Sequence, residues 1–463
     1  MAAPVPKVAQ VDPSRTFPSQ RLHRRGFIQA VAASLGAGAL PSVAADFSKA
    51  IEAMRPPDRP LGIPSLWVGS VTDRSAVVRV KLPPQVRSRL LVLPPGGSPL
   101  VFQSEPLADP AGKVRTFRLQ GLTASSRYMC TLEVNGKPSI FPPAVVRTFP
   151  AEGKAGNFSF AFGSCARTGS EHEVFSTIRR KDPAFFLHLG DMHYANISRN
   201  DPRLFRAAWE TVLSSLAQGA LYRTVPLAYV WDDHDFGPNN GDARSPSRIA
   251  ARLIYREYAP HYPLPAGDGD AAIYQAFSCG RARFILTDLR SERSPVAMRP
   301  GPAKTMMGVA QKEWFKRELA EAARSHALVF WGSSVPWIGG EEPADGWAGY
   351  ADERREIADF IAQNQIRNLA ILCGDAHMLA ADDGTNSSFS AAGASRIPVL
   401  HGSALDQQGS YKGGPYSQGF HLPMAGEGCF GWVRVLDDGK RVKVEFTGRN
   451  DHDEEKVRLD FTV

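Results

Sequence analysis

From residue 158 onward, short apolar runs alternate with segments of helical periodicity, and this alternation constrains the fold more than any other feature of the chain. The predicted strands are FSFAF (158–162), FFLHL (185–189), LAYVW (227–231), ARFILTD (282–288), ALVFWG (327–332) and LAILC (369–373). The predicted helices are VFSTIRR (174–180), LFRAAWETVLSSLA (204–217), RIAARLIYREY (248–258), QKEWFKRELAEAARS (311–325) and RREIADFIAQN (354–364). Such alternation is typical of a layered α/β domain, which we place at residues 155–463. A hairpin (432–448) and a last strand (457–463) are predicted to end it.

Residues 65–149 have a different character, because short β-rich segments there are separated by turns. Tyr128 enters a predicted strand that ends at the Asn135-Gly136 turn, a pattern typical of a tyrosine corner. We therefore predict a small all-β domain that resembles a fibronectin type III sandwich. An unrelated small β-domain is the alternative.

The first 44 residues are typical of an export signal. In HRRGFIQA (23–30) two arginines precede an uncharged stretch that is rich in Ala and Gly and too weakly apolar for a membrane span. Small residues suit cleavage after Ala44. The pattern resembles a twin-arginine signal, with a signal-anchor or a plain amphipathic N-terminus as alternatives. It predicts use of the twin-arginine export machinery and a periplasmic or secreted protein, with residues 45–64 as a Pro-rich linker.

Charge and cysteine content narrow the function classes. The formal net charge is +7, but the first 44 residues hold five basic and one acidic side chains, which leaves +3 for the rest. Nucleic-acid binding usually needs a dense basic face, and no such cluster is evident. The five cysteines form no CxxC pair, which argues against a disulfide framework and a zinc ribbon.

Four predicted strands end in side chains that can bind metal. These residues are Cys165 after the first strand, Asp191, His193 and Tyr194 after the second, Asp232, Asp233 and His234 after the third, and Asp375 and His377 after the last. One Gly-Asp pair is more often a turn. Four strand ends that each carry possible metal-binding side chains indicate a shared site at one edge of the fold. So many acidic groups would repel each other unless cations neutralised them.

The ligand types suggest the chemistry. Aspartates can bridge two hard cations, whereas a phenolate and a thiolate suit an ion such as iron. Two metals together can clamp the attacking and leaving oxygens of a phosphoryl transfer and generate a hydroxide nucleophile. A nearby histidine can protonate the departing alkoxide.

FGSCAR, HLGDMHY, VWDDHDF and LCGDAH, in this order, resemble the alkaline phosphatase D (PhoD-like) family of metallophosphoesterases. The resemblance covers nearly the whole chain after the signal. It implies a calcineurin-like α/β/β/α sandwich and hydrolysis of small-molecule phosphate esters at a centre of Fe³⁺ and Ca²⁺, with other divalent metals as possible occupants.

The resemblance also implies roles for individual residues. Asp191 would bridge the metals and take part in catalysis, and His234 would be the leaving-group acid or a phosphate contact. The remaining implied metal ligands are Cys165, Tyr194, Asp375, His377 and one of Asp232 and Asp233, with Asp233 favoured. Apart from the resemblance, two residues are candidate substrate contacts: Arg167 could bind phosphate in a bidentate way, and Asn239 could contact metal or phosphate or belong to a plain polar loop.

Some residues keep open interpretations. His193 inherits no role from the resemblance, and His188 lies inside an apolar run, where a packed histidine is the simpler interpretation. Asn240 could be a ligand or a plain loop residue, and His401 has no assigned role. The four cysteines other than Cys165 are interpreted as small buried apolar residues.

The leading functional hypothesis is an exported alkaline phosphatase, with natural substrate and oligomeric state undetermined. A phosphodiesterase with the same metal centre is the alternative enzyme. An exported non-catalytic binding protein is the alternative of a different class.

Overall fold

The computed structural model describes residues 65–107, 113–139, 141–340, 345–393 and 395–463. The predicted export signal (1–44) and linker (45–64) lie outside these residues. Among the helices that the structure describes, none is long and apolar enough to cross a membrane.

The described strands and helices follow the predicted alternation. The strands are β1 (Leu66–Gly69), β2 (Ala76–Lys81), β3 (Ser88–Leu93), β4 (Leu100–Gln103), β5 (Val114–Leu119), β6 (Arg127–Val134), β7 (Lys137–Pro138), β8 (Ala144–Arg147), β9 (Phe158–Gly163), β10 (Phe186–Leu189), β11 (Leu227–Val230), β12 (Gln275–Cys279), β13 (Ala282–Leu286), β14 (Leu328–Ser333), β15 (Leu369–Cys373), β16 (Leu379–Asp382), β17 (Val399–Gly402), β18 (Phe420–His421), β19 (Cys429–Asp437), β20 (Val442–Asn450) and β21 (Glu455–Thr462). The helices are α1 (Glu173–Arg180), α2 (Pro202–Ser214), α3 (Gln218–Thr224), α4 (Asp233–Phe236), α5 (Arg248–Tyr258), α6 (Gly308–Ser325) and α7 (Ala351–Gln363), with a 3₁₀ turn at Trp347–Tyr350.

Two large sheets form the centre of the fold. The nine-stranded sheet has the order β21-β20-β19-β9-β10-β11-β1-β2-β5, and its strands β9, β10 and β11 are parallel. The seven-stranded sheet has the order β12-β13-β14-β15-β17-β16-β18, and β13, β14, β15 and β17 are parallel. Every residue of the parallel strands β10, β11 and β15 is buried, as expected for strands whose sheet is covered on both faces.

The two sheets pack face to face. The Phe160 ring lies edge-on to Phe284 and Phe330, with ring centroids 5.3 and 5.4 Å apart. Helices cover the outer faces: Phe315 of α6 and Ile357 of α7 belong to an apolar cluster on the seven-stranded sheet, and Leu221 of α3 and Ile254 of α5 belong to the apolar core that contains Phe186 of the nine-stranded sheet. The order helix, sheet, sheet, helix confirms the predicted layering of the α/β domain.

The strands before residue 150 continue the nine-stranded sheet. Strand β1 runs parallel to β11, with Gly69 opposite Leu227. A side chain at Gly69 would not fit, because a Cβ there would lie 2.3 Å from the Leu227 carbonyl oxygen. The indole Nε1 of Trp67 donates to the Tyr258 carbonyl at 2.6 Å, which attaches β1 to α5.

The separate fibronectin type III-like sandwich predicted for residues 65–149 is therefore not confirmed. One apolar core includes Val80 and Leu90 from this segment together with Phe160, and all described residues fall in one compact unit. Strands β3, β4, β6, β7 and β8 form a small sheet of their own. The sequence pattern did not show that β1 would pair with a strand far along the chain.

The predicted tyrosine corner is confirmed. The Tyr128 hydroxyl accepts a hydrogen bond from the backbone N–H of Thr123 at 2.8 Å. Strand β6 then turns into β7 through Asn135 and Gly136, whose φ angles are +50° and +78°, as a two-residue hairpin turn requires.

Candidate metal centre

The ends of the parallel strands meet at one edge, where the loops after β9, β10, β11 and β15 lie together. The backbone N–H of Cys165 donates to the Gly190 carbonyl at 3.2 Å, and that of Asp375 donates to the Ser164 hydroxyl at 3.1 Å. The first bond joins two loops of the nine-stranded sheet, and the second connects the two sheets at loops that carry the predicted ligands. Strand ends of parallel sheets are where α/β proteins place their sites.

Three overlapping sets of possible metal ligands lie at this edge, and Asp191 belongs to all of them. The sets are Cys165, Asp191 and His377; Asp191, Asp233 and His234; and Asp191, Asp232 and Asp375. Within each set the ligand atoms lie within 4.8 Å of one another. A carboxylate shared by several sets is suited to bridge two cations.

The Tyr194 hydroxyl contacts two members of the set formed by Cys165, Asp191 and His377. The hydroxyl donates to Asp191 Oδ2 and lies beside His377 Nε2, both at 3.1 Å. The other nitrogen of His377, Nδ1, lies 2.8 Å from the Gln408 carbonyl. That bond makes Nδ1 the protonated nitrogen and leaves Nε2 free to accept or to bind metal.

His234 lies at the rim, half-buried, with its imidazole stacked on the Tyr194 ring at a centroid distance of 3.9 Å. Its Nδ1 bonds to the Asn196 side-chain oxygen. Its backbone N–H donates to Asp191 Oδ1 at 3.3 Å. These contacts fix the ring beside the candidate ligands and leave its Nε2 for another partner.

A buried arginine balances the aspartates behind the centre. Arg290 Nε donates to Asp232 Oδ1 at 2.5 Å, and the same guanidinium contacts Asp345 at 2.7 Å and Asp233 at 3.8 Å. Asp232 Oδ1 also accepts from the Ser334 hydroxyl at 2.9 Å. Among the described residues, Asp232 Oδ2 and Asp233 Oδ1 are buried without a hydrogen-bond partner, so these oxygens suit a cation.

Lys412 is the other cation at the centre. Its ammonium lies 2.6 Å from Asp375 Oδ1, and this contact raises the pKa of Lys412 although burial opposes the shift. Neighbouring Ser410 donates its backbone N–H to the His377 carbonyl at 3.1 Å, so the loop carrying Lys412 is attached to the ligand loop.

Four of the candidate ligands have a left-handed backbone conformation. Cys165, Asp191, Asp375 and His377 have φ angles of +63°, +56°, +57° and +53°. This left-handed region costs non-glycine residues energy and is enriched at functional sites. Gly190 also has a positive φ, and a Cβ there would lie 2.4 Å from the Asp232 Cβ, so close contact between the loops requires glycine.

Burial and like charges shift the pKa values of the acidic groups. Burial, followed by the charges of Asp233 and Cys165, raises the pKa of Asp191 well above its ordinary value. Burial raises the pKa of the Cys165 thiol to about 12. Asp233 differs: burial alone would raise its pKa, but Arg290 and His234 outweigh burial and lower it. A cation would stabilise the ionised forms of all these groups.

The two candidate substrate contacts, Arg167 and Asn239, are both exposed. Arg167 is exposed, and its backbone N–H donates to Asp406 at 2.7 Å. Asn239 is also exposed, whereas the backbone N–H of Asn240 donates to Asp233 Oδ2 at 2.6 Å. Neither side chain, Arg167 or Asn239, forms a hydrogen bond within the described part of the chain.

The structure places His188, His193 and His401 in none of the three ligand sets. His188 and His401 are fully buried, as a packed histidine would be. Burial lowers the pKa of each to about 3. His193 is buried too, and its backbone N–H donates to Asp235 at 3.2 Å.

Sequence reasoning missed several residues that shape the centre, namely Ser334, Asn196, Arg290, Asp345 and Lys412. Only Arg290 had a usable signal, since it follows the apolar strand 282–288 in TDLR, a fifth polar strand end. The four cysteines other than Cys165 are buried and free, as predicted.

Comparison with known proteins shows which family this chain resembles. Residues 160–409, more than half of the chain, match the model of the PhoD-like phosphatase family. The chain is 24% identical over 286 residues to the protein described as alkaline phosphatase D of Bacillus subtilis (strain 168). That match covers 51% of this chain and 48% of the relative, so the chain spans about half the length of the relative it matches.

Solved structures show the same fold. A structure of PhoD superposes with a TM-score of 0.68 at 18% identity, over 88% of this chain and 90% of that one. A purple acid phosphatase from yellow lupin seeds gives a TM-score of 0.58 at 12% identity, over 86% of this chain and 74% of that one. The family match confirms the resemblance drawn from the strand-end motifs: this chain belongs to the PhoD-like phosphatase family.

Proposed function

We propose that the chain is a metal-dependent alkaline phosphatase that hydrolyses small-molecule phosphate esters. The observation that carries the proposal is the sharing of Asp191 by three sets of possible ligands within 4.8 Å. The family match and the similarity to alkaline phosphatase D support it. The buried oxygens of Asp232 and Asp233 that have no hydrogen-bond partner among the described residues support a cation site.

The donor set fits two different ions. Cys165, Tyr194 and His377 offer sulfur, phenol oxygen and nitrogen, which suit Fe³⁺, and the carboxylates of Asp233 and Asp375 suit a harder ion such as Ca²⁺ or another divalent metal. Asp191 would bridge both. When bound, such a pair would supply a hydroxide nucleophile near neutral pH and offset charge on the phosphoryl oxygens.

The protein's own residues would donate a proton, contact the phosphate and hold the candidate ligands in place. His234, held by Asn196 and by stacking on Tyr194, presents Nε2 to donate a proton to the departing alkoxide. Lys412 offers a cationic group beside Asp375 that can contact a phosphate oxygen. Arg290, behind the centre, holds Asp232 and Asp233 in place, and its charge helps to keep the pKa of Asp233 low although burial would raise it.

Export by the twin-arginine machinery to the periplasm or beyond is part of the same proposal, supported by the sequence of residues 1–44. A centre built from Cys165, with its buried thiol, and from other groups that must be deprotonated would suit a protein that is loaded and folded before export.

The test is the variant Asp191→Asn, assayed with p-nitrophenyl phosphate and by elemental analysis. Loss of a bridging carboxylate should lower the rate at least about 100-fold, since even the outer partners of metal ligands contribute 10–100-fold. Exposed Asp268 provides the matched control, and Asp268→Asn should keep rate and metal content. Unchanged rate and metal content in Asp191→Asn would reject the proposal. Rates on bis(p-nitrophenyl) phosphate separate a phosphodiesterase from a monoesterase.

A further inference from the structure

A second cluster of metal-binding side chains lies outside the candidate metal centre. It consists of His421, Glu427 and Cys429, whose ligand atoms all lie within 4.8 Å of one another. His421 belongs to β18 of the seven-stranded sheet, Cys429 begins β19 of the nine-stranded sheet, and Glu427 lies in the loop between them. None of the three belongs to a set that contains Asp191.

We propose that this cluster binds one divalent transition-metal ion, with Zn²⁺ as the best fit, at a site that joins the two sheets. Imidazole nitrogen, carboxylate oxygen and thiolate sulfur are the donors that Zn²⁺ takes in proteins, at about 2.0–2.3 Å. Ligands around such an ion lie roughly 3.3–3.8 Å apart, a separation that small side-chain rotations from the present positions can reach.

The contacts already orient Glu427 toward His421. Glu427 Oε2 lies 2.9 Å from His421 Nε2 and accepts from the backbone N–H of Met424 at 3.0 Å. The other oxygen, Oε1, accepts from Asn450 Nδ2 at 3.0 Å. Partners of this kind hold a ligating carboxylate in position. Lys456 lies 4.0 Å from Oε1, the oxygen farther from His421, and pairs more closely with Glu454 at 2.8 Å.

The charges around Cys429 favour a cation. The carboxylates of Glu427 and Asp451 both lie close enough to Cys429 to act on it electrostatically. Asp451 Oδ1 is buried and has no hydrogen-bond partner among the described residues. It follows Asn450, which lies opposite Cys429 in the strand pair. A bound metal would stabilise the thiolate outright and would offset the nearby carboxylates.

The location explains what the metal would do. His421 pairs with Leu379 of β16, whereas Cys429 pairs with Asn450 of β20. An ion held by both residues would connect the edge of one sheet to the first residue of a strand in the other. Metal binding at such a site contributes to folding stability and needs no part in the phosphatase reaction.

The experiment uses Co²⁺ as a coloured substitute for Zn²⁺, because a cobalt–thiolate bond absorbs in the near ultraviolet. The chelator-treated Cys165→Ser variant, which lacks the other candidate thiolate ligand, is titrated with Co²⁺. We expect a thiolate band that saturates near about one equivalent per chain. Adding Cys429→Ser should remove the band, whereas adding Cys279→Ser, a buried cysteine elsewhere, should keep it.

A second measurement avoids any folding defect of the cysteine variants. His421→Ala, made in the otherwise natural chain, should bind about one Zn²⁺ fewer than the parent, while His452→Ala at a neighbouring exposed position should bind the same amount. A band that survives Cys429→Ser, no band in Cys165→Ser, or an unchanged zinc content in His421→Ala would each overturn the proposal. Because no arm measures phosphatase activity, failure here is separate from failure of the proposed function.

Discussion

Replacing Arg290 by glutamine should destabilise the metal-free protein strongly. The Arg290 side chain is 0% exposed and its partner Asp232 is 1% exposed. Glutamine keeps most of the volume and some hydrogen bonding, so the main loss is the positive charge. Asp232 would keep only the Ser334 hydroxyl at 2.9 Å as a partner for Oδ1, and Asp345 would keep Arg293 at 2.6 Å.

The size of the effect follows from burial. Removing one partner of a buried ion pair costs about 3–5 kcal/mol, because the other charge remains desolvated and unpaired. The matched control is Arg283→Gln, whose pair with Glu318 at 2.7 Å is partly exposed at 22% and 20%. Pairs nearer the surface contribute about 0–1 kcal/mol. The difference between the two variants should therefore be at least about 2 kcal/mol.

The assay is urea unfolding of chelator-treated protein, followed by tryptophan fluorescence, with midpoints compared at a common slope. Acid pH adds a second check. Burial alone would raise the pKa of Asp345, but Arg290 and Arg293 hold it well below the ordinary value. The stabilisation from this depressed pKa is present above about pH 4 and is lost as the pH falls further. The deficit of Arg290→Gln should therefore narrow below pH 4. A deficit under about 1 kcal/mol at pH 7 would refute the reasoning.

Two further predictions concern single side chains. Tyr194→Phe should abolish a visible tyrosinate-to-iron absorption band, whereas Tyr222→Phe, at a buried tyrosine outside the ligand sets, should keep it; a band that persists in Tyr194→Phe would remove Tyr194 from the proposed ligands. His401→Phe should lower the midpoint pH of acid unfolding. Burial lowers the pKa of His401 from 6.5 to about 3, so the unfolded chain binds a proton first, and stability decreases as the pH falls below 6.5, by about 3 kcal/mol at pH 4. An acid transition at the same pH as in the parent would contradict this assignment.

Much of the centre was predictable because its residues directly follow apolar strands. Asp191 follows β10 and Asp375 follows β15, in each case with one glycine between the strand and the aspartate. Parallel strands bring such positions to the same edge. Helix α5 and strand β15 were placed with their ends correct, since the apolar periodicity there is unbroken.

What could not be predicted depends on distant pairing. Gly69 lies opposite Leu227, and nothing near either residue in the sequence indicates that contact. Lys412 reaches Asp375 from a glycine-rich loop that shows no periodicity. Asp345 meets Arg290 across 55 positions of the chain. The local sequence pattern therefore located the candidate ligands, whereas the charged residues that balance them could be found only from the fold.

The most direct test of the central claim is the metal content of the purified natural protein, measured together with its rate on p-nitrophenyl phosphate. The proposed function predicts iron and a second, harder metal in stoichiometric amounts, beyond any ion at the His421 cluster, and a rate that disappears on chelation and returns when metal is restored. Full activity in protein that contains no metal after chelation would contradict the proposal that these strand ends form a metal centre for phosphate ester hydrolysis.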